Sequence, residues 1–248
     1  MERIILGGEG PALAGRRALL CFMEQPQAAS ERRGLAVHIG APAAIRLQRA
    51  FLETMAGMLL RSRPLLTPVG VGTPDAGLRT IGEIAGPRLP LWPQGEGTRS
   101  ERMARAAARA FSGGAERVLI VGTDTPDLPL GHCLGAARRL DREDVVLGPS
   151  RDGGCYLIGL RRPAPGLFRG VDWGGVRTLQ QAMTRVRAAG LRSSYLPVWS
   201  SVRGPEGLRQ LRARLERAAG GSSGPGETYE GLRAAVEEAA ALLGPSPL

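Results

Sequence analysis

The chain has 248 residues, of which 43% are hydrophobic, and its formal net charge is +10. A chain of this length and composition can bury a sizeable core, so a single α/β domain is the expected organisation. No apolar stretch is long enough to span a bilayer, and the N-terminus lacks the pattern of a secretion signal. We therefore expect a cytoplasmic protein that has no membrane partner.

The positive charge does not predict a nucleic-acid partner. All 33 basic residues are arginine, and they are scattered through the chain with few aromatic residues to interleave as stacking platforms. The absence of lysine excludes P-loop and Schiff-base chemistry. Cys21, Cys133 and Cys155 form no Cys-x-x-Cys pair, which argues against a zinc site or a disulfide framework.

The N-terminal half reads as alternating strands and helices. Residues 1–16 are interpreted as an N-terminal extension with an added edge strand at 3–6. Residues 18–23 form the first strand of the domain. Apolar residues at helical spacing predict an amphipathic helix over 43–60, and a strand at 65–71 and a weak helix at 76–85 follow.

The centre of the chain carries two apolar runs that end in acidic and glycine residues. Residues 118–121 are short and branched, as in a strand buried on both faces, and they lead to Asp124 and Asp127. A helix at 130–140 and a strand at 144–147 lead to a turn that contains Asp152, before a strand at 156–160. Ligands of open α/β sheets bind at the carboxyl ends of strands, so we expect the three carboxylates to converge on one crevice. The alternative is that each aspartate only hydrogen-bonds the backbone of its own turn.

The sequences GTDTPDL (122–128) and VVLGPSRDGGCYLIGL (145–160) resemble the paired signature of a bacterial family. These are small GT-A-like nucleotide-sugar transferases of the selenodomain-associated type, and the resemblance extends over about residues 18–215. It implies a Rossmann-like GT-A fold with a mostly parallel central sheet flanked by helices. It also implies a nucleotide-diphosphate sugar as donor and a small molecule as acceptor.

The resemblance assigns roles to the central carboxylates and to the loop after the first strand. Asp124 and Asp127 would hold Mg or Mn on the donor diphosphate, and Asp152 would act as base or orient the acceptor hydroxyl. The family's basic phosphate-binding loop is poorly kept, because Glu24 and Gly34 stand where it has Lys and Arg. Arg32 and Arg33 are the remaining candidates for binding the donor phosphate.

Two further segments resemble the family and depart from it. Gln94, Gly95 and Gly97 match its Gln-Gly-x-Gly donor loop, although Thr98 and Arg99 follow in place of Asp and Leu. Residues 168–173 resemble its Phe-x-x-x-x-Trp segment, in which Asp172 and Trp173 would lie on the acceptor side. A helix at 176–189 follows, for which Asp172 could instead provide a cap.

The last predicted strand, 195–198, leads to a loop in which the family has two aspartates. In this chain Ser201 and Arg203 occupy these two positions. The loss of both carboxylates argues against binding of a divalent cation. One explanation is loss of the metal site by drift. The other is that the Arg203 guanidinium takes the place of the metal in neutralising the departing diphosphate.

The C-terminal part lies outside the resemblance. The GT-A-like domain is assigned to residues 17–219, a flexible Gly/Ser linker to 220–226, and a helix with a tail to 227–248. The apolar stripe of this helix would pack on the domain or on a second subunit, which would make the protein a homo-oligomer.

Three functions remain open at this point. The first is metal-assisted glycosyl transfer. The second is nucleotidyl transfer of the guanylyltransferase type, which needs a strongly basic N-terminal loop. The third is a catalytically degenerate GT-A-like domain that acts as a partner protein.

Overall fold

The structure is a computed structural model that describes residues 11–27, 34–219 and 229–243. Seven strands form one sheet. They are β1 (Arg17–Glu24), β2 (Thr67–Thr73), β3 (Leu91–Pro93), β4 (Arg117–Gly122), β5 (Val145–Pro149), β6 (Cys155–Leu160) and β7 (Ser193–Tyr195). The α-helices of the described residues are α1 (Ala36–Ile39), α2 (Ala41–Arg61), α3 (Leu78–Ala85), α4 (Arg99–Ser112), α5 (Leu130–Arg139), α6 (Thr178–Ala188), α7 (Pro205–Ala219) and α8 (Glu230–Ala241).

The sheet has the strand order β3-β2-β1-β4-β6-β5-β7. Only β6 runs against its neighbours, pairing antiparallel with both β4 and β5. From β1 the chain moves outward to β2 and β3 and then returns to place β4 on the other side of β1, so the strand order reverses between β1 and β4. Such a reversal opens a crevice at the carboxyl ends of the strands. The predicted fold class, an α/β GT-A-like fold with a mostly parallel sheet flanked by helices, is confirmed.

Alternation along the central strand explains why helices cover both faces of the sheet. On β1, Leu19, Cys21 and Met23 pack into a cluster with α2, α3 and α5. The intervening residues Ala18, Leu20 and Phe22 pack into a second cluster with α4 and α6. Side chains of a strand alternate between faces, so a strand buried on both sides must be apolar throughout, as this one is.

A third apolar cluster lies on the outer side of α2. Leu47 and Phe51 meet Leu208, Leu211 and Leu215 of α7 and Leu232 and Val236 of α8. The ion pair between Arg212 and Glu237, with nitrogen and oxygen 3.0 Å apart, joins α7 to α8. Within this chain the C-terminal helix therefore packs against its own domain.

The structure differs from the sequence predictions mainly at the edges of the sheet. The last strand is Ser193–Tyr195 instead of 195–198, because Pro197 offers no N–H to a sheet ladder. Helix α7 and the short strand β3 were not predicted. The predicted edge strand at 3–6 and the linker at 220–226 lie outside the described residues.

The described part of the chain contains no helix that is both long enough and apolar enough to cross a membrane.

Removing apolar bulk from α8 tests whether this helix stabilises the domain. Leu232 is 1% exposed between α2 and α7, and Leu232→Ala should lower the free energy of unfolding by about 2–5 kcal/mol, as cavities in packed cores do. Leu242→Ala is the matched control, since Leu242 is 51% exposed and should change stability by less than about 0.5 kcal/mol. Equal urea midpoints for the two variants would show that α8 does not stabilise the domain.

Candidate functional site

A crevice of about 320 Å³ opens where the carboxyl ends of β1, β2 and β4 meet. Glu24, Thr73 and Asp124 line it from these three strand ends. The described residues contribute two carboxylates and three guanidinium groups to its lining: Glu24, Asp124, Arg99, Arg102 and Arg203. The crevice therefore carries more positive than negative charge, which suits an anionic ligand.

Two of the arginines are positioned by the beginning of α4. Thr98 caps this helix: its hydroxyl accepts the N–H of Glu101 at 3.3 Å, and the Glu101 carboxylate accepts the N–H of Thr98 at 2.7 Å. The hydrogen bond from the Thr98 backbone is the main reason that the pKa of Glu101 is lowered. This reciprocal cap places Arg99 and Arg102 in the first turn, where the positive end of the helix dipole adds to their charge.

Gln94 holds the strand ends together and does not present its amide to the crevice. Its Nε2 donates to the carbonyl oxygens of Met23 (3.1 Å) and Val71 (2.8 Å), and its Oε1 accepts from Arg102 Nη1 at 2.7 Å. All polar atoms of the side chain are thus engaged with protein. Gln94 was predicted to bind the donor; in the structure it positions Arg102 instead.

The two glycines of the same loop are required by its conformation. Gly95 and Gly97 have φ of +70° and +105°, a region that side chains other than glycine rarely adopt. Arg105 holds the loop by donating to the carbonyl oxygens of Gln94 and Glu96 at 2.7 and 2.8 Å. A Cβ on Gly95 would lie 2.7 Å from Arg105 Nη1, so the Arg105 guanidinium can occupy this position only because residue 95 has no side chain.

Asp124 and Asp152 meet at Arg203. Arg203 Nε lies 3.7 Å from Asp124 Oδ2, and Arg203 Nη1 lies 3.4 Å from Asp152 Oδ2. The Val202 N–H donates to the carbonyl oxygen of Asp124 at 2.7 Å and so brings the Arg203 loop to the end of β4. Two of the three predicted carboxylates are thus near each other, with a guanidinium between them.

The glycines after Asp152 make room for this arrangement. A Cβ on Gly153 would lie 2.0 Å from the carbonyl oxygen of Val176, and its φ is +79°. A Cβ on Gly154 would lie 2.7 Å from Arg203 Nη1 and 2.9 Å from Asp152 Oδ1. The Gly154 N–H donates to Asp152 Oδ1 at 3.0 Å, so Asp152 does bond its own turn, as the alternative interpretation held.

Of the three predicted carboxylates only Asp124 lines the crevice, which corrects their predicted convergence. Asp152 lines a neighbouring cavity that shares Arg203 with the crevice. Asp127 joins neither of them. It lines a separate cavity and accepts two hydrogen bonds from Arg214, at 2.5 and 3.1 Å, and one from Trp199 Nε1 at 3.3 Å. Three positions along a turn are enough to direct Asp124 and Asp127 to different partners. The sequence contained no signal for Arg214, which lies 87 positions away on the unpredicted helix α7.

These positions decide whether the residues fit a divalent cation, which the fold family implies. Mg needs several oxygen ligands in octahedral geometry. Asp127 is turned away, and the position beside the Asp124 carboxylate is taken by the Arg203 guanidinium. Ser201, which stands where the family has the first of its two aspartates, is buried against Ser150 with their hydroxyl oxygens 3.1 Å apart. No three Asp, Glu, His or Cys side chains of the described residues are grouped to hold a metal; the site does not fit Mg or Mn.

A second cavity of about 580 Å³ adjoins the crevice and shares Arg99 with it. Both predicted acceptor-side residues line this cavity. Asp172 is exposed there, while Trp173 is buried and donates from Nε1 to the carbonyl oxygen of Phe168 at 3.3 Å. Asp172 does not cap α6, whose N-cap position is Arg177.

The thiols and the phenol near the crevice are not suited to nucleophilic catalysis. Burial raises the pKa of the Cys155 thiol to about 12 and also raises the pKa of Tyr156. The Tyr156 hydroxyl is occupied by His132 Nδ1 at 2.9 Å and by the carbonyl oxygen of Pro197 at 2.8 Å. Burial lowers the pKa of His132 as well, so carboxylates and guanidiniums are left as the charged groups of the site.

The predicted phosphate ligands Arg32 and Arg33 lie outside the described residues. The arginines that do line the crevice, Arg99 and Arg102, were not predicted as site residues. The signal that could have found them is the Thr98-x-x-Glu101 capping box directly after the glycine loop, which places both in a first helical turn.

Breaking the Asp127–Arg214 pair tests the structural role of Asp127. Its side chain is 8% exposed, and Asp127→Ala should cost about 3–5 kcal/mol of unfolding free energy because a mostly buried guanidinium loses its partner. Glu83→Ala breaks the exposed pair with Arg79 and should cost about 0–1 kcal/mol. Urea unfolding of the two variants measures both losses of unfolding free energy. A cost for Asp127→Ala no larger than that of the control would contradict this role.

Comparison with known proteins agrees with the fold and the motifs. No curated protein matches the sequence significantly. A crystal structure of a "putative nucleotide-diphospho-sugar transferase from Desulfovibrio desulfuricans G20" is similar with a TM-score of 0.78 and 28% identity, covering 92% of this chain and 99% of that one.

More distant structures share the fold alone. A 4-diphosphocytidyl-2C-methyl-D-erythritol synthase has a TM-score of 0.53 and 14% identity, over 81% of this chain and 99% of its own. A CMP:2-keto-3-deoxy-manno-octonic acid synthetase complexed with CTP has a TM-score of 0.52 and 10% identity, over 82% of this chain and 99% of its own.

Residues 71–175 match a family described as "Uncharacterized protein conserved in bacteria (DUF2064)". The resemblance carried by GTDTPDL and the Asp-Gly-Gly turn is thus confirmed.

Proposed function

We propose that the protein is a glycosyltransferase that binds a nucleotide-diphosphate sugar in the crevice and transfers the sugar to a small-molecule acceptor. The observation that carries the proposal is the charge of the crevice. Arg99, Arg102 and Arg203 face two carboxylates at the point where the strand order reverses. Guanidinium groups match the oxygens of a diphosphate with paired donors, and they remain charged at any physiological pH.

The proposed reaction uses these fixed charges on the leaving group. The acceptor oxygen forms a bond to the anomeric carbon, and the bond from that carbon to the donor phosphate oxygen breaks. The nucleoside diphosphate leaves with the electron pair, so negative charge increases next to the three arginines. Cations that are already in place lower the barrier, because they need not reorganise as the charge develops.

Asp152 is the proposed base for the acceptor hydroxyl. Its side chain is 31% exposed, against 12% for Asp124, so it is the more accessible of the two carboxylates at Arg203. Its 3.4 Å contact with Arg203 is longer than a charge-assisted hydrogen bond. Lone pairs on this carboxylate therefore remain for the acceptor proton.

The adjoining cavity is the proposed acceptor site. It combines an apolar floor, which includes Phe168, Val171 and Trp173, with the charged side chains of Arg99 and Asp172. Such a lining suits a small molecule with one apolar face and a hydroxyl or cationic group. Since Arg99 lines both cavities, an acceptor bound here would lie beside the donor.

Titration calorimetry with nucleoside diphosphates and UDP- and GDP-sugars tests the donor site. We expect a subset to bind, and Arg99→Ala should weaken that binding by about 10–100-fold, the effect of losing one hydrogen bond to a charged group. Arg79→Ala is the control, because Arg79 is an exposed arginine paired with Glu83 on α3 and should leave the affinity unchanged.

The possible failures of this experiment separate the alternatives. Absence of binding to every nucleotide would contradict the transferase and leave the degenerate partner domain. Tightest binding of GTP or CTP would favour nucleotidyl transfer. Equal affinities of Arg99→Ala and Arg79→Ala would place the ligand outside the crevice.

A further inference from the structure

We infer that Arg203 is a built-in counter-charge that occupies the place of a divalent cation, so that the protein binds its donor diphosphate without a metal. This inference rests on the proposed function for the identity of the ligand. The arrangement from which it follows is independent of any ligand: a guanidinium that lines the crevice lies near two carboxylates, those of Asp124 and Asp152.

The contacts of Arg203 hold its position but use few of its donors. The distances to Asp124 and Asp152, 3.7 and 3.4 Å, are those of ion pairs without close hydrogen bonds. Within the described residues, its hydrogen bond goes from Nη1 to the carbonyl oxygen of Gly174 at 2.9 Å. Arg203 Nε is buried and has no hydrogen-bond partner there. A guanidinium has five N–H groups, so donors remain for phosphate oxygens.

The same contacts oppose binding of a divalent cation at this place. A metal ion at Asp124 would lie next to a positive charge that cannot be removed by deprotonation, because the pKa of arginine is above 12. It would also compete with Arg203 for the two carboxylates. Removing the guanidinium, in contrast, takes a positive charge away from two carboxylates that lie near each other, which favours uptake of a cation.

Gly154 completes the arrangement, because its missing side chain lets the guanidinium lie against the Asp-Gly-Gly turn. A Cβ at this position would be 2.7 and 3.0 Å from the two terminal nitrogens of Arg203. Gly154→Ala therefore displaces the guanidinium, together with the Asp152 carboxylate whose Oδ1 would lie 2.9 Å from the Cβ, and changes no charge. It provides a variant that tests the position of this ion pair separately from its charge.

The first experiment measures Mn²⁺ binding to the protein alone, by electron paramagnetic resonance of free Mn²⁺ in titrations without nucleotide. Wild type should leave the Mn²⁺ signal unchanged, and Arg203→Lys should do the same because it keeps the charge. Arg203→Asp should bind about one Mn²⁺ per chain, since it places a third carboxylate beside Asp124 and Asp152. Binding of Mn²⁺ by wild type at the crevice, abolished by Asp124→Asn, would overturn the inference.

The second experiment repeats the nucleotide titration in EDTA and in Mn²⁺. Wild-type affinity should agree within about threefold in the two buffers. Arg203→Asp should lose at least about tenfold in EDTA and regain most of it in Mn²⁺. Gly154→Ala should bind several-fold more weakly in both. If Arg203→Asp does not fold, as judged by circular dichroism, the wild-type and Gly154→Ala titrations decide.

The two experiments distinguish failure of this inference from failure of the proposed function. Nucleotide binding that disappears in EDTA contradicts the inference and leaves the transferase in place. Absence of nucleotide binding, together with Mn²⁺ binding only by Arg203→Asp, contradicts the proposed donor and leaves the arginine in the cation position.

Discussion

The hydrogen bond from the Val202 N–H to the carbonyl oxygen of Asp124 determines how the site is assembled. It joins the turn after β4 to a loop almost eighty positions later in the chain. Because of it, Arg203 reaches Asp124, and helix α7 begins directly beyond the crevice. The Asp-Gly-Gly turn approaches from the antiparallel part of the sheet and contributes Asp152 to the same point. Three separate segments are thus held around one guanidinium.

A guanidinium and a divalent cation can both neutralise a diphosphate, but they impose different requirements on the protein. A metal ion must be bound by several oxygen ligands and is exchangeable. Arg203 is attached to the chain, so its position depends on packing against Gly154 and on the two carboxylates. Asp124 and Asp152 then have a use that does not involve a metal: they orient a cation that belongs to the protein.

The sequence was most informative where a residue's environment follows from its neighbours in the chain. Buried strands such as β1 and β4 and the helix α2 follow from local apolar patterns, and they were predicted closely. The pairing of Asp127 with Arg214 was not predictable in this way, because it depends on how a distant helix packs. The same holds for Gln94, whose amide reaches the strand ends of β1 and β2. Helix α7 was missed although Leu208, Leu211 and Leu215 have helical spacing after Pro205, a signal that would have identified it.

The departures from the family pattern have a common direction, which argues against simple decay of the site. Positive charge is lost at two positions, where Glu24 and Gly34 stand in place of Lys and Arg. It is gained at two others, where Thr98 and Arg99 replace Asp and Leu, and where Ser201 and Arg203 replace two aspartates. Arg99 and Arg203 both line the same crevice as Glu24. Random loss has no reason to return cations to the crevice that lost them, whereas a site that still binds an anion does.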